Sequence, residues 1–387
     1  MENVAVIYGG RSSEHDISII TAIGVMGALD KSKYNVIPVY VNRDGLWVMP
    51  NNHLSIGSYI KRVKGKKLAV GFYDGCILKK RVIGFKKYKK INVAINCCHG
   101  MNGEDGSLAG LIKLAGIPMV GSGVLPSSVG MDKAIMKDVF CKNNIPCPKY
   151  LYFTELEFLN NKDYIIKKIE EQISYPAIIK PANLGSSIGI NISKNRKELN
   201  KNIQIALNFD KKIVVERVVQ NLREINCSVI GNYKNCEASI LEEPKNWKSF
   251  LDFDEKYILS GKNKKQVDVH IGQEMDDKIK ELSKQCYKQL GCSGVVRIDF
   301  LLDDKAKEVY VNEINTIPGS YANYLWKHKY TYTMLLDRLI IFAKQEFEYM
   351  NECSYSFKSN VLQKYGGGKN YSKIKSWLKN YKNCVII

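Results

Sequence analysis

Gly294-Val-Val-Arg-Ile-Asp-Phe-Leu-Leu302 and, after a short polar link, Glu308-Val-Tyr-Val-Asn312 read as two closing strands, the second running straight into Glu313-Ile-Asn315. Residues two apart in a strand face the same way, so Arg297 and Asp299 share one side, and so do Glu313 and Asn315. Pairing these strands gathers two carboxylates and an amide. Such oxygen donors suit a hard cation, Mg²⁺ bridged to phosphates, whereas the lack of His and thiolate argues against zinc. Taken alone, the pattern fits structural salt bridges across a hairpin equally well.

Upstream lie groups suited to a nucleotide. Lys133 stands early in a helical segment, Met131 to Phe140, and Lys180 closes a strand, Tyr175 to Pro181. Gly185-Ser-Ser-Ile-Gly189 follows, a Gly/Ser turn whose backbone N–H groups can approach phosphate closely. No Walker A sequence occurs, and Gly9-Gly10 does not continue as GxGxxG, so neither a P-loop nor a typical dinucleotide fold is supported.

The N-terminal part alternates short apolar strands with helical spacing. Val4 to Tyr8 is followed by the Gly9-Gly10 turn, by Ile17, Ile20, Ile23 and Val25, and by the strand Tyr34 to Val41. This predicts a parallel sheet with helices on its faces. Residues 60–90 read as a basic hairpin insertion, and Ile91 to Asn96 returns to the sheet at Cys97-Cys98-His99-Gly100, a strand-end loop of the kind that hosts ligands. The expected organisation is an N-terminal α/β domain (1–125), a central unit (126–215), a third unit with the metal site (216–347) and a basic tail (348–387).

Composition bounds the function. At 45% hydrophobic and 25% charged over 387 residues, the chain has the balance of a folded globular protein. No apolar run is long enough for a membrane span and no basic leader precedes the first strand, so a cytoplasmic protein without membrane contact is expected. The net charge of +19 raises nucleic-acid binding. Its lysines are spread in short groups without a recognition motif, and a solvated basic face explains them, so no nucleic-acid partner is expected. The 11 cysteines show no CxxC and read as reduced packing residues.

Seven segments occur in a family-like order: Tyr8-Gly-Gly-Arg-Ser-Ser-Glu-His-Asp-Ile-Ser18, His99-Gly-Met-Asn-Gly-Glu-Asp-Gly106, Gly121-Ser-Gly123 with Met131-Asp-Lys133, Ile179-Lys-Pro181 with Gly185-Ser-Ser187, Asp252-Phe-Asp-Glu-Lys-Tyr257, Arg297-Ile-Asp299 and Asn312-Glu-Ile-Asn-Thr-Ile-Pro-Gly319. Through them the chain resembles the D-alanine:D-alanine ligases of the ATP-grasp superfamily over roughly residues 3–345. The resemblance implies a three-domain ATP-grasp α/β architecture with an N-terminal parallel-sheet (preATP-grasp) domain. It also implies ATP-dependent ligation of D-alanine to a second small amino acid, most simply another D-alanine, through an acyl phosphate.

Carried over by motif, Lys133, Lys180, Ser187 and Lys256 would hold phosphates, and Glu216, Arg217, Val219 and Glu224 would meet adenine and ribose. Asp299, Glu313 and Asn315 would bind two Mg²⁺ ions, with Mn²⁺ as a substitute. Glu14 would take the first substrate's ammonium and link to Ser186 and Tyr257; read without the resemblance, it is a helix cap. Arg297 and the Gly319 N–H would stabilise the oxyanion. His99 is either a ligand of the first substrate's carboxylate or a hydrogen-bonded structural residue. Glu104 and Asp105 would support their loop and hold Arg297. A homodimer is expected, as in the family.

One departure concerns the acceptor. Tyr324 stands where the family's carboxylate-binding serine would be, within Ser320-Tyr-Ala-Asn-Tyr-Leu-Trp326. Either Tyr324 points elsewhere and Ser320 or Asn323 takes over, or the second substrate differs. D-alanine:D-serine ligation, or another specialised dipeptide ligation on the same fold, is therefore an alternative, and a non-catalytic nucleotide- or amino-acid-binding protein is a second, of another class.

Overall fold

The computed structural model describes residues 1–60, 63, 65–244, 266–354 and 359–361. The chain divides into two compact units, Met1–Phe347 and Glu348–Ile387. Of the second unit, the described part includes the last turn of the helix Tyr332–Asn351.

The first sheet of the larger unit has the order β6-β5-β4-β3-β2-β1-β7-β8. Its strands are β1 (Glu2–Gly9), β2 (Tyr34–Val41), β3 (Trp47–Pro50), β4 (Gly65–Tyr73), β5 (Cys76–Lys80), β6 (Phe85–Lys90), β7 (Val93–Asn96) and β8 (Met119–Val120). The central pairs β2–β1, β1–β7 and β7–β8 are parallel. Helices cover both faces here, which is why Val4 to Tyr8 can be apolar without interruption. Val4, Val6 and Tyr8 pack with the helix His15–Ala28 through Ala22, Val25 and Met26, while Ala5 and Ile7 pack with Leu108 and Ile112 of the helix Ser107–Leu114. The basic insertion forms β4 to β6, an antiparallel extension of this same sheet.

At the end of β1 the chain must turn beneath β2. A Cβ on Gly9 would lie 2.2 Å from the Val41 carbonyl oxygen, and Gly9 and Gly10 take φ of +90° and +98°. The Gly-Gly pair is what the turn requires.

The second sheet, β11-β10-β12-β9, comprises β9 (Tyr150–Thr154), β10 (Ala177–Pro181), β11 (Asn191–Ser193) and β12 (Lys212–Arg217). The helices Lys162–Gln172 and Arg196–Leu207 bury their apolar stripes on it. The third, β15-β14-β13-β16-β17, comprises β13 (Leu222–Gly231), β14 (Cys236–Glu243), β15 (Gln266–Val267), β16 (Gly294–Asp303) and β17 (Glu308–Asn315). Met136 and Phe140, on the helix Lys133–Lys142, pack into the core of this sheet with Ile279 and Ile298. The lysines of that helix are thereby fixed relative to β16 and β17.

The chain then returns to its beginning. Tyr321, Trp326, Leu335 and Leu339 join the core formed by β1 and the helix His15–Ala28. Each fully buried side chain of this size contributes about 1.5–3 kcal/mol, so the segment 319–340 is bound firmly to the first sheet. Among the described residues, no helix is long and apolar enough to cross a membrane, and the ten described cysteines are free thiols.

Candidate active site

The two strands that opened the sequence reading pair as expected. In the β16–β17 register Arg297 faces Asn315 and Asp299 faces Glu313, with a shift just after Asp299. Arg297 grips Asp299 with two hydrogen bonds, Nε to Oδ1 at 2.6 Å and Nη2 to Oδ2 at 2.7 Å. Burial works against the guanidinium charge, but Asp299 outweighs it and holds Arg297 well above its ordinary value. Asn315 Nδ2 donates to Asp299 Oδ2 at 3.1 Å, which leaves its Oδ1 as the oxygen to offer a cation. Lys133 Nζ stands 3.6 Å from Glu313. Two carboxylates and an amide oxygen on adjacent strands fit Mg²⁺ in donor type and in number.

Asp299 and Glu313 open into a cleft between the second and third sheets. Lys133, Lys180, Ser187, Glu216, Arg217, Val219 and Glu224 line the same cleft, so these seven sequence candidates come together. Ile178, Ile190, Val218, Leu222 and Leu301 give its inner part an apolar lining that suits a flat base. Glu216 organises the polar end: it meets Lys180 at 3.0 Å and Lys137 at 3.3 Å, all three side chains being buried. Burial alone would raise the Glu216 carboxyl, yet the two lysines hold it below its ordinary value. Burial lowers Lys180. Lys180 also donates to Asn312 Oδ1 at 2.9 Å, and Lys137 to the Asn312 carbonyl at 3.2 Å.

Lys137 and Asn312 had not been singled out. Lys137 could have been: it lies four residues after Lys133, on the same helix face. Lys256 and Tyr257 lie outside the described residues.

Across the cleft, Glu14 begins the helix His15–Ala28 but makes no side-chain cap bond. Its carboxylate instead accepts from Ser186 Oγ at 2.5 Å, so of its two readings the geometry matches the link to Ser186. Ser186 and Ser187 take left-handed φ of 56° and 58°, and a Cβ on Gly185 would sit 2.7 Å from Glu14 Oε1. A side chain at 185 would therefore displace the Glu14 carboxylate from its present place.

His99, Glu14 and Glu104 bring their polar atoms within 4.8 Å of one another. Burial lowers the His99 imidazole. Burial, together with Glu14 and Glu313, pushes the Glu104 carboxyl up to about 8, although the Gly100 N–H donates to it at 2.7 Å. Asp105 accepts from the backbone N–H groups of Asn102 and Ser107 and so ties its own loop together. Arg297 is one of the charges acting on Glu104, while its two hydrogen bonds described above go to Asp299.

After Gly319 the backbone makes a left-handed turn: Ser320, Tyr321 and Ala322 have φ of 49°, 55° and 48°. Left-handed geometry costs roughly 1–2 kcal/mol per non-glycine residue, so the turn persists only under constraint. Asn323 Nδ2 donates to the Ser320 carbonyl at 3.0 Å. Tyr324 Oη donates to Glu242 Oε2 at 2.7 Å, and Asn226 Nδ2 donates to the same oxygen at 3.1 Å. Glu242 and Asn226 were also missed by the sequence reading; nothing in their neighbourhood distinguishes them from ordinary strand residues.

Two sheets flanking a lysine-lined cleft, with a carboxylate pair on adjacent antiparallel strands, define an ATP-grasp enzyme. Comparison with known proteins narrows this. The models of the D-ala D-ala ligase N-terminus and C-terminus match residues 3–122 and 139–341. The chain is 36% identical to the D-alanine–D-alanine ligase of Thermosipho africanus, over 94% of this chain and 98% of that protein. It is 34% identical to the Geobacillus thermodenitrificans ligase, over 92% and 99%. Among solved structures, the VanG D-Ala:D-Ser ligase from Enterococcus faecalis superposes with a TM-score of 0.76 at 29% identity, covering 88% of this chain and 99% of that one. The D-alanine–D-alanine ligase from Bacillus anthracis complexed with ATP shares the fold, with a TM-score of 0.65 at 23% identity over 90% and 100%. The chain belongs to the D-alanine–D-alanine ligase family.

Proposed function

We propose that this protein ligates D-alanine to a second D-alanine at the expense of ATP, supplying a dipeptide for cell-wall precursor synthesis. One observation carries the reading: Asp299 and Glu313, paired across β16 and β17, open onto the cleft that also holds Lys133 and Lys180.

In this reading ATP enters the cleft with its base against Ile178, Val218 and Leu301 and its phosphates toward Lys133 and Lys180. Entry of phosphate offers the two lysines a second anion beside Glu216, Glu313 and the Leu184 carbonyl. Asp299, Glu313 and Asn315 would hold Mg²⁺, which neutralises phosphate charge and stabilises the phosphoryl group in flight. Glu14, fixed by Ser186, receives the ammonium of the first D-alanine, and the carboxylate of that D-alanine attacks the γ-phosphorus to give an acyl phosphate and ADP. The amine of the second D-alanine then attacks the acyl carbon, and inorganic phosphate leaves. Arg297, oriented by Asp299, and the Gly319 N–H supply positive potential where the carbonyl oxygen becomes an oxyanion.

The reading extends to a cytoplasmic homodimer organised as 1–125, 126–215, 216–347 and an appended 348–387. It is tested by phosphate release from ATP and Mg²⁺ with D-alanine alone and with a panel of second amino acids, the products identified by mass. D-alanyl-D-alanine from D-alanine alone is the expected result. Silence with every acceptor would sink it. A second reading, ligation of D-serine, is favoured by Tyr324, whose phenol occupies the serine position of the family and is bonded to Glu242. Turnover with D-serine in preference to D-alanine would select it.

A further inference from the structure

The left-handed turn 320–322 follows the Gly319 N–H directly and is braced from the first sheet. Ser320 N–H donates to Thr21 Oγ1 at 3.3 Å, and Thr21 Oγ1 lies 2.9 Å from His99 Nε2. Thr21 and His99 are 2% and 3% exposed, so no solvent competes for these bonds. The Thr21 oxygen accepts from Ser320 and pairs with His99 Nε2, as donor or as second acceptor according to the His99 tautomer. The chain of bonds thus runs from the loop at 320 through Thr21 to His99, at the end of β7.

We infer that Thr21 is a positioning residue for the ligation step: backed by His99, it holds residue 320 so that the preceding Gly319 N–H points to where the oxyanion develops. His99 then serves the loop from its buried place rather than binding the first substrate's carboxylate. Neither side chain touches reacting atoms. Both belong to the element that carries Glu14 or to the adjoining strand end, so the donor side of the site sets the geometry of the step that consumes the donor. A second brace, Tyr321 Oη donating to the Asn96 carbonyl at 2.5 Å, ties the same turn to β7.

This inference rests on the ligase reading, and the experiment separates the two. Wild-type protein, Thr21→Val, Thr21→Ser and Thr21→Cys are assayed for both phosphate and dipeptide. Absence of dipeptide from the wild type would fail the ligase reading itself. With an active wild type, Thr21→Val, near-isosteric but lacking the hydroxyl, should lower kcat for dipeptide by roughly 10- to 100-fold. The KM for ATP and for the first D-alanine should stay put. The ratio of phosphate to dipeptide should rise above one, because acyl phosphate still forms but is hydrolysed before capture. Thr21→Ser, which keeps the proton, should restore coupling. Wild-type kcat with one-to-one coupling in Thr21→Val would overturn the clamp, and so would a loss that Thr21→Ser shares. Should Thr21→Val not fold, Thr21→Cys, with a weak donor of similar shape, is read by the same ratio.

Discussion

Tyr324 Oη donates its hydrogen bond to Glu242, a carboxylate on β14 with no solvent exposure. A phenol has one proton, and here that proton is engaged. That proton is then not offered to an acceptor carboxylate, to which the family's serine is expected to donate. Burial raises the phenol's pKa further, so it stays protonated at any working pH. Tyr324→Ser should shift kcat/KM toward D-alanine over D-serine by supplying a hydroxyl free to donate and enlarging the pocket. An unchanged ratio would show that the side chain does not shape acceptor choice.

Glu216 is the hinge of the buried charge network. Removing its charge leaves the buried Lys137 and Lys180 with one anionic partner fewer. Glu216→Gln should cost about 3 kcal/mol of stability, the size of an uncompensated buried charge, and should raise the KM for ATP. Urea denaturation and ATP titration check the two effects separately. A shift in urea midpoint within error would mean that the two lysines are neutralised some other way.

The metal assignment has its own test. Glu313→Gln keeps the shape and the bond-forming oxygen but removes the charge that faces Asp299 across β16 and β17. The Mg²⁺ concentration for half-maximal activity should rise by roughly tenfold or more. An unchanged Mg²⁺ dependence would dismiss Glu313 as a ligand.

Much of this site was legible in the sequence, and the rest fell short for identifiable reasons. Period-two facing places Asp299 and Glu313 once β16 and β17 are paired, and Gly185-Ser-Ser187 declares its turn through composition. Glu14 was ambiguous because Ser12-Ser-Glu-His fits a capping pattern as well as a ligand; only the Ser186 contact, 172 residues away, distinguishes the two. The basic strands β4 to β6 were read as an insertion because their alternation is weak, yet backbone pairing adds them to the first sheet. The turn at 320–322 contains no glycine or asparagine at its left-handed positions, so local propensity points away from it. It is imposed by tertiary contacts with Thr21 and Asn96, which no local reading contains.

Glu104 supplies a pH-dependent prediction whose sign can be worked out. Its carboxyl titrates near 8 in the folded protein, raised by burial and by Glu14 and Glu313; in the unfolded chain it has the ordinary value of about 4.3. Between these values the folded state binds the proton and the unfolded state does not, so stability falls as pH rises. The contribution is fully present below the unfolded pKa and is lost as pH climbs through about 8. Glu104→Gln, an analogue of the protonated acid, removes this loss. In metal-free protein, urea midpoints of wild type and variant should agree best near pH 5 and diverge toward pH 9, with the variant the more stable at the alkaline end. Parallel midpoints across that range would mean that Glu104 is ionised in the folded state, with Arg297 carrying its charge after all.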